Sequence, residues 1–147
     1  MIITGVSDYQ ISNIYSCNLL RKEFLDQFVE FKGYVSYEEL AYLYANCRYV
    51  VFPSKGEGYG LPIIEALSYG KTVLASRVTS IPEVAGCAVK YINPYDIESI
   101  ISGFAFFEND SNLERYESYI IERKKIIHSM VEQDINILID DIKNIMR

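Results

Sequence analysis

Short apolar runs alternate with segments of helical spacing from the first residue to about residue 92. Met1 to Gly5 is an apolar run ended by glycine, and Val29 to Tyr34 alternates and stops near Gly33. Arg48 to Phe52 is stopped by Pro53, and Thr72 to Ala75 and Ala88 to Ile92 follow. Such β-branched and aromatic runs, bounded by turn formers, read as strands. Between the first two, Ile14, Leu19, Leu20, Phe24, Leu25 and Phe28 recur at helical spacing, which predicts a helix over Ile14 to Phe28. Ser36 with Glu39 three residues on has the capping-box spacing, for a helix ending near Asn46. Pro62 falls in the first turn of a helix over Leu61 to Tyr69, where its missing N–H does no harm, and Gly70 ends it. Ser80 to Ala85 fits a short turn of helix. This alternation predicts an α/β fold with a parallel sheet of about five strands and flanking helices.

After Asn93-Pro94 the pattern turns wholly helical. Asp96 caps a helix to about Phe107, and Asn112 begins another to about Ile127. Met130 to Met146, with Ile135, Leu138, Ile139, Ile142 and Ile145, is an amphipathic helix that reads as a packing element. At 147 residues, half of them hydrophobic, the chain is expected to form one domain with a single core, residues 1–147. Most of its 13 tyrosines read as half-buried rings.

Charge and cysteine usage exclude several function classes. Fourteen Lys and Arg against twenty Asp and Glu give a net charge of −6, with no basic stripe for nucleic acid. The densest basic cluster, Arg123-Lys124-Lys125, reads as the solvated face of a helix. Cys17, Cys47 and Cys87 form no paired motif, and with His128 as the sole histidine a His/Cys zinc site is excluded. Inert thiols in a reducing, cytoplasmic setting are the simplest account. No apolar run is long enough to span a bilayer, and Met1 to Gly5 has no signal-peptide character.

In open parallel sheets ligands bind outside the carboxyl ends of the strands. The segment after the third strand, Pro53-Ser54-Lys55-Gly56-Glu57-Gly58-Tyr59-Gly60-Leu61-Pro62-Ile63-Ile64-Glu65-Ala66, is the richest such place. Its alternate glycines let backbone approach a ligand, and the amides of Gly60 and Leu61 would face a phosphate with a helix dipole behind them. Glu57 in the loop and Glu65 inside the helix could accept hydrogen bonds from sugar hydroxyls, so the combination points to a nucleotide sugar. On spacing alone, a glycine-rich turn with two solvated glutamates is the simpler account. A dinucleotide site fails, because the glycines run G-x-G-x-G and no acidic residue closes a further strand. No Walker A lysine and no G-x-S-x-G are present.

The linked motifs Phe31-x-Gly33-x-Val35-Ser36-x-Glu38-Glu39-Leu40, Val51-x-Pro53-Ser54-x-x-Glu57-Gly58-Tyr59-Gly60-Leu61-Pro62-x-x-Glu65-Ala66, Gly70-x-x-Val73 and Ile81-Pro82-Glu83-Val84-x-Gly86 resemble those of one family. It is the carboxy-terminal, donor-binding domain of retaining GT-B glycosyltransferases of group 1, or family 4, and Glu57 and Glu65 match its E-x7-E motif. The resemblance runs from about Ile2 to Ile101 and implies half of a GT-B fold: a Rossmann-like sheet with a helical carboxy-terminal tail. It implies that Glu57 is the catalytic-site carboxylate on the donor sugar and that Glu65 takes the ribose hydroxyls. Amides around Gly58, Tyr59, Gly60 and Leu61 would hold sugar and pyrophosphate, with Gly33, Tyr34 and Val35 beside the base. Transfer from a UDP- or GDP-linked sugar would retain configuration and need neither metal nor cofactor.

The family also has an Arg and a Lys in the first strand-loop of this domain. Here the chain opens at what resembles the second strand, and Arg21-Lys22 lies in a helical segment that does not match. Lys55 reads as solvated, Glu83 as a loop-fixing residue and His128 as a surface residue. The amino-terminal acceptor domain is also missing, so the chain resembles a fragment and is expected to be inactive alone. A non-catalytic nucleotide-sugar-binding module working with a partner chain is the alternative; a GT-B epimerase or phosphorylase fits the motifs less well. The Ile-, Tyr- and Asn-rich composition resembles bacterial surface-polysaccharide enzymes, including those of O-antigen synthesis. For the full-length protein this implies a saccharide or lipid-linked acceptor, no nucleic acid, and peripheral association with the inner face of the plasma membrane.

Overall fold

A computed structural model of the chain describes residues 1–16 and 22–145. Cys17, Leu19, Leu20, Arg21 and Met146, which entered the sequence reading, lie outside the described residues. The chain divides into two compact units, Met1–Leu43 and Tyr44–Arg147.

In the first unit, β1 (Ile2–Thr4) pairs in parallel with β2 (Glu30–Gly33), and α1 (Asp8–Ser16) and α2 (Lys22–Phe28) lie between them in sequence. The register runs Ile2 to Glu30 and Ile3 to Phe31, then slips so that Thr4 faces Gly33. The Gly5 N–H closes the ladder by donating to the Gly33 carbonyl at 2.6 Å, and both glycines hold positive φ. The expected helix start at Ile14 is too late, for α1 starts at Asp8. Its cause is a capping box: the Ser7 amide donates to Gln10 Oε1 at 2.9 Å, while Ser7 Oγ accepts from the Gln10 amide at 3.4 Å. The next helix, α3 (Tyr37–Asn46), begins as its sequence predicts, with Ser36 Oγ accepting from the Glu39 amide at 3.2 Å. The Glu39 carboxylate turns instead to Lys32, 2.9 Å away.

In the second unit, β3 (Val50–Phe52), β4 (Val73–Ser76) and β5 (Val89–Ile92) form a parallel sheet with β4 in the middle. Val50, Val51 and Phe52 face Val73, Leu74 and Ala75, which face Val89, Lys90 and Tyr91. All four residues of β4 are buried, as an interior parallel strand requires. The expected five strands are therefore present as a two-stranded and a three-stranded sheet, not as one. β4 alone among these strands is buried throughout, whereas β1 and β2 carry Thr4, Glu30 and Lys32.

Helices α4 (Leu61–Ser68) and α5 (Ile81–Ala85) connect these strands, and α6 (Ile97–Phe107) and α7 (Asp110–Ile145) follow. Ile63, Ala66, Leu67, Leu74, Ile81 and Ala85 are fully buried. A second cluster joins Leu74, Ile92 and Phe107 with Tyr49, Phe104, Phe106 and Tyr116 against them. Gly103 on α6 lets that helix lie directly on Leu74 and Ile92.

The tail differs from expectation. Nothing between Asn112 and Ile145 is Gly or Pro, so the two predicted helices run on as one 36-residue α7. Its apolar residues Ile135, Leu138, Ile139, Ile142 and Ile145 are exposed. Arg123 and Lys124 are not merely a solvated face. Arg123 donates to the Val84 carbonyl at 2.7 Å and to that of Glu83, while Lys124 reaches the Ser68 carbonyl at 3.1 Å. Both cations thus sit on the carboxyl ends of α5 and α4, the sites a helix dipole favours for positive charge. Tyrosines are more exposed than expected: Tyr9, Tyr34, Tyr37, Tyr42, Tyr59, Tyr69 and Tyr95 all stand in solvent.

Candidate functional site

Loops leaving the carboxyl ends of β3, β4 and β5 are tied together. The Glu57 amide donates to Thr79 Oγ1 at 3.0 Å, and the Ser80 hydroxyl donates to the Glu57 carbonyl at 3.2 Å. Thr79 holds φ 44°, a left-handed conformation costly for a β-branched residue. Lys55 is not simply solvated, since its ammonium lies 5.4 Å from the Tyr95 ring centre in the loop after β5. Ser54 tightens the turn by donating its hydroxyl to the Gly56 carbonyl at 3.0 Å. Glu57 is thereby fixed through its backbone, half-buried, with its carboxylate unpaired among the described residues.

Gly60 is the N-cap of α4 and is buried at φ 84°. Ordinary space surrounds the position, with Ile63 Cδ1 3.5 Å from where a Cβ would stand. The backbone conformation, not crowding, demands glycine there. No side chain caps α4, and Pro62 in its first turn has no N–H. Among the described residues, nothing accepts from the N–H groups of Gly60 and Leu61. Helices with free first-turn amides are anion sites in waiting. Gly58 and Tyr59 precede this turn on the open surface, and Leu61 is also exposed.

Glu65 lies one turn inside α4 with its carboxylate at the surface. Tyr44, from the last turn of α3, donates its hydroxyl to Glu65 Oε2 at 2.9 Å. Its ring is buried and stacks on Tyr69 at 5.5 Å. Burial, and then the Glu65 carboxylate, push the Tyr44 phenol well above its usual pKa, so it stays a donor.

Glu57, Gly58, Tyr59, Gly60, Leu61 and Glu65 are therefore carried on one continuous loop and helix. Gly33, Tyr34 and Val35 belong to the first unit, where Gly33 ends β2 and the other two follow it, with Tyr34 almost wholly exposed. Sequence reading missed Tyr44, Thr79 and Ser80, whose parts depend on partners 21 to 23 residues away. Two surface hollows, of about 270 and 360 Å³, lie elsewhere: one beside Arg48, Lys71 and Glu114, the other beside Ile64, Ile127 and Val131. No three His, Cys, Asp or Glu side chains converge as a metal group among the described residues. There, too, no helix is long and apolar enough to cross a membrane.

The fold has counterparts among solved structures. Sucrose-phosphate synthase from Thermosynechococcus elongatus superposes with a TM-score of 0.70 at 22% identity, over 93% of this chain and 38% of that one. TarM does so with a TM-score of 0.67 at 22% identity, over 92% and 28%. At such identity the likeness concerns the fold alone, and that fold is the α/β architecture of GT-B glycosyltransferases. The sequence model of the family described as glycosyl transferases group 1 matches residues 5–125, and the chain belongs to that family. Among curated relatives, O-antigen chain mannosyltransferase B of Escherichia coli is 39% identical over 100 residues, 68% of this chain and 26% of that protein. O-antigen chain mannosyltransferase RfbU of Salmonella typhimurium is 31% identical over 121 residues, 82% of this chain and 33% of that protein. This chain thus spans about a quarter to a third of the length of these relatives. The resemblance drawn from the motifs holds for family and fold.

Proposed function

We propose that the chain is the nucleotide-sugar-binding part of a retaining, metal-independent glycosyltransferase that builds a bacterial surface polysaccharide. The observation that carries this reading is the uncapped start of α4 at Gly60 and Leu61, with Glu57 before it and Glu65 within it. A pyrophosphate would accept from the free amides, supported by the positive end of the helix dipole. Glu65 would accept from the ribose hydroxyls and Glu57 from those of the sugar. Relatives named as mannosyltransferases favour mannose as the transferred sugar.

Retention follows if the departing phosphate takes the acceptor's proton on the face it leaves. The donor part then supplies no general base. It stabilises the charge developing on the leaving oxygen through fixed amides, the kind of preorganised dipole that lowers such barriers most. A second domain would bring the saccharide or lipid-linked acceptor, at the inner face of the plasma membrane. These 147 residues alone would bind donor without transferring it.

Calorimetric titration with UDP, GDP and GDP-mannose, beside a Glu65→Ala variant, tests the reading. One nucleotide should bind, and the variant should bind it at least about tenfold more weakly, the loss expected when charge-assisted hydrogen bonds go. Equal binding by both proteins would remove Glu65 from the site.

A further inference from the structure

We propose that Tyr44 is the positioning residue of this site: its hydroxyl holds one oxygen of Glu65 so that the other faces the ribose diol of a nucleotide. The inference rests on the donor-site reading above and deepens it.

Glutamate at an exposed helix position ordinarily samples several rotamers, and a ligand that needs one of them must pay for ordering the rest. Glu65 stands at such a position, yet its Oε2 accepts from Tyr44 at 2.9 Å. Tyr44 is itself well anchored. Only 9% of it is exposed, its ring lies 17° from parallel with that of Tyr69, and its hydroxyl carries a single hydrogen. The Pro62 carbonyl, 3.5 Å away, is the more distant of two acceptors for that hydrogen, so it goes to Glu65. A carboxylate has about four lone-pair sites, so one bond from Tyr44 leaves capacity for two adjacent hydroxyls. The contact joins α3 to α4 across 21 residues of sequence, and its donor stays protonated because burial and Glu65 both hold the phenol proton. Tyr44 touches no substrate in this scheme; it acts through Glu65.

A thermodynamic cycle separates this role from plain packing. GDP and UDP, each beside its 2′,3′-dideoxy analogue, are titrated into the parent chain, Tyr44→Phe, Glu65→Ala and the double variant. Phe keeps the ring and its stack on Tyr69, and circular dichroism verifies that each variant is folded. Tyr44→Phe should weaken the hydroxylated nucleotide by about threefold to tenfold, the worth of one net hydrogen bond, and leave the dideoxy analogue unchanged. In the Glu65→Ala background, Tyr44→Phe should have no further effect. A Tyr44→Phe variant that weakens both ligands equally, or neither, overturns the inference while the donor site stands. If Glu65→Ala does not lower the preference for the hydroxylated nucleotide, the donor-site reading falls and takes the inference with it. Absence of binding to every nucleotide by the folded chain overturns both.

Discussion

Gly103→Ala is a sensitive probe of how α6 rests on the sheet. Taken as an isolated helix position, the change should stabilise the chain by about 1 kcal/mol, since alanine is the better helix former. Packing opposes it. A methyl group built on Gly103 would stand 2.6 Å from Leu74 Cδ1, 2.7 Å from Ile92 Cγ2 and 3.2 Å from Leu74 Cδ2. Contacts below 3.0 Å cannot be absorbed in place, and Leu74 at 0% and Ile92 at 3% exposure have no open space to move into. Overpacking of this kind costs about 1–3 kcal/mol, and two side chains are struck at once, so the upper part of that range applies. Net of the propensity gain, Gly103→Ala should destabilise by about 1–2 kcal/mol, roughly 3–7 °C in Tm for a chain of this size. Urea and thermal unfolding followed by circular dichroism measure this directly. Leu74→Ala alone should cost about 2–5 kcal/mol. Combined with it, Gly103→Ala should become neutral or favourable, because the new methyl enters space the leucine has left. A single variant that melts at or above the parent would refute the packing argument.

Arg123→Ala should cost about 1–2 kcal/mol in urea unfolding, because it releases two carbonyls at the end of α5, whereas Lys124→Ala, which frees one exposed carbonyl, should cost under about 0.5 kcal/mol. Stability should also fall as pH rises above about 10, the ordinary tyrosine value. Tyr44, Tyr49, Tyr91 and Tyr116 are all held above that value, mainly by burial, so above it the unfolded chain binds fewer protons than the folded one and unfolding is favoured. Urea midpoints taken from pH 8 to 11 should be flat and then decline, less steeply in Tyr44→Phe; a midpoint that rises through this range refutes the assignment.

The parts of this molecule that were legible in its sequence are those fixed within a few residues. Ser36 and Glu39, Pro62 and Gly70, and Asp96 with its hydrogen bond to the Glu98 amide each act locally and mark helix ends where the structure has them. The same logic was available at Ser7 and Gln10, but the apolar residues from Ile14 onward gave the stronger periodic signal and drew the expected helix start too late. The division of five strands into two sheets was not legible, because pairing depends on which runs are buried on both faces. For the site, the uncapped glycine turn and both glutamates could be read from spacing and motif. Their fastening could not. Tyr44 to Glu65 and Thr79 to Glu57 bring together residues on different elements, and only the packing of α4 and the β4 loop decides that they meet.

The bonds from α7 to the ends of α4 and α5 also impose an order in time on synthesis. Arg123 leaves the ribosome 40 residues after Glu83, and Lys124 leaves it 56 residues after Ser68. At about 5–20 residues per second, roughly 2–11 s separate the synthesis of these carbonyls from that of the cations that pair with them. A stop before Arg123 would leave every residue of the glycine loop in place while removing both cations from the ends of α4 and α5.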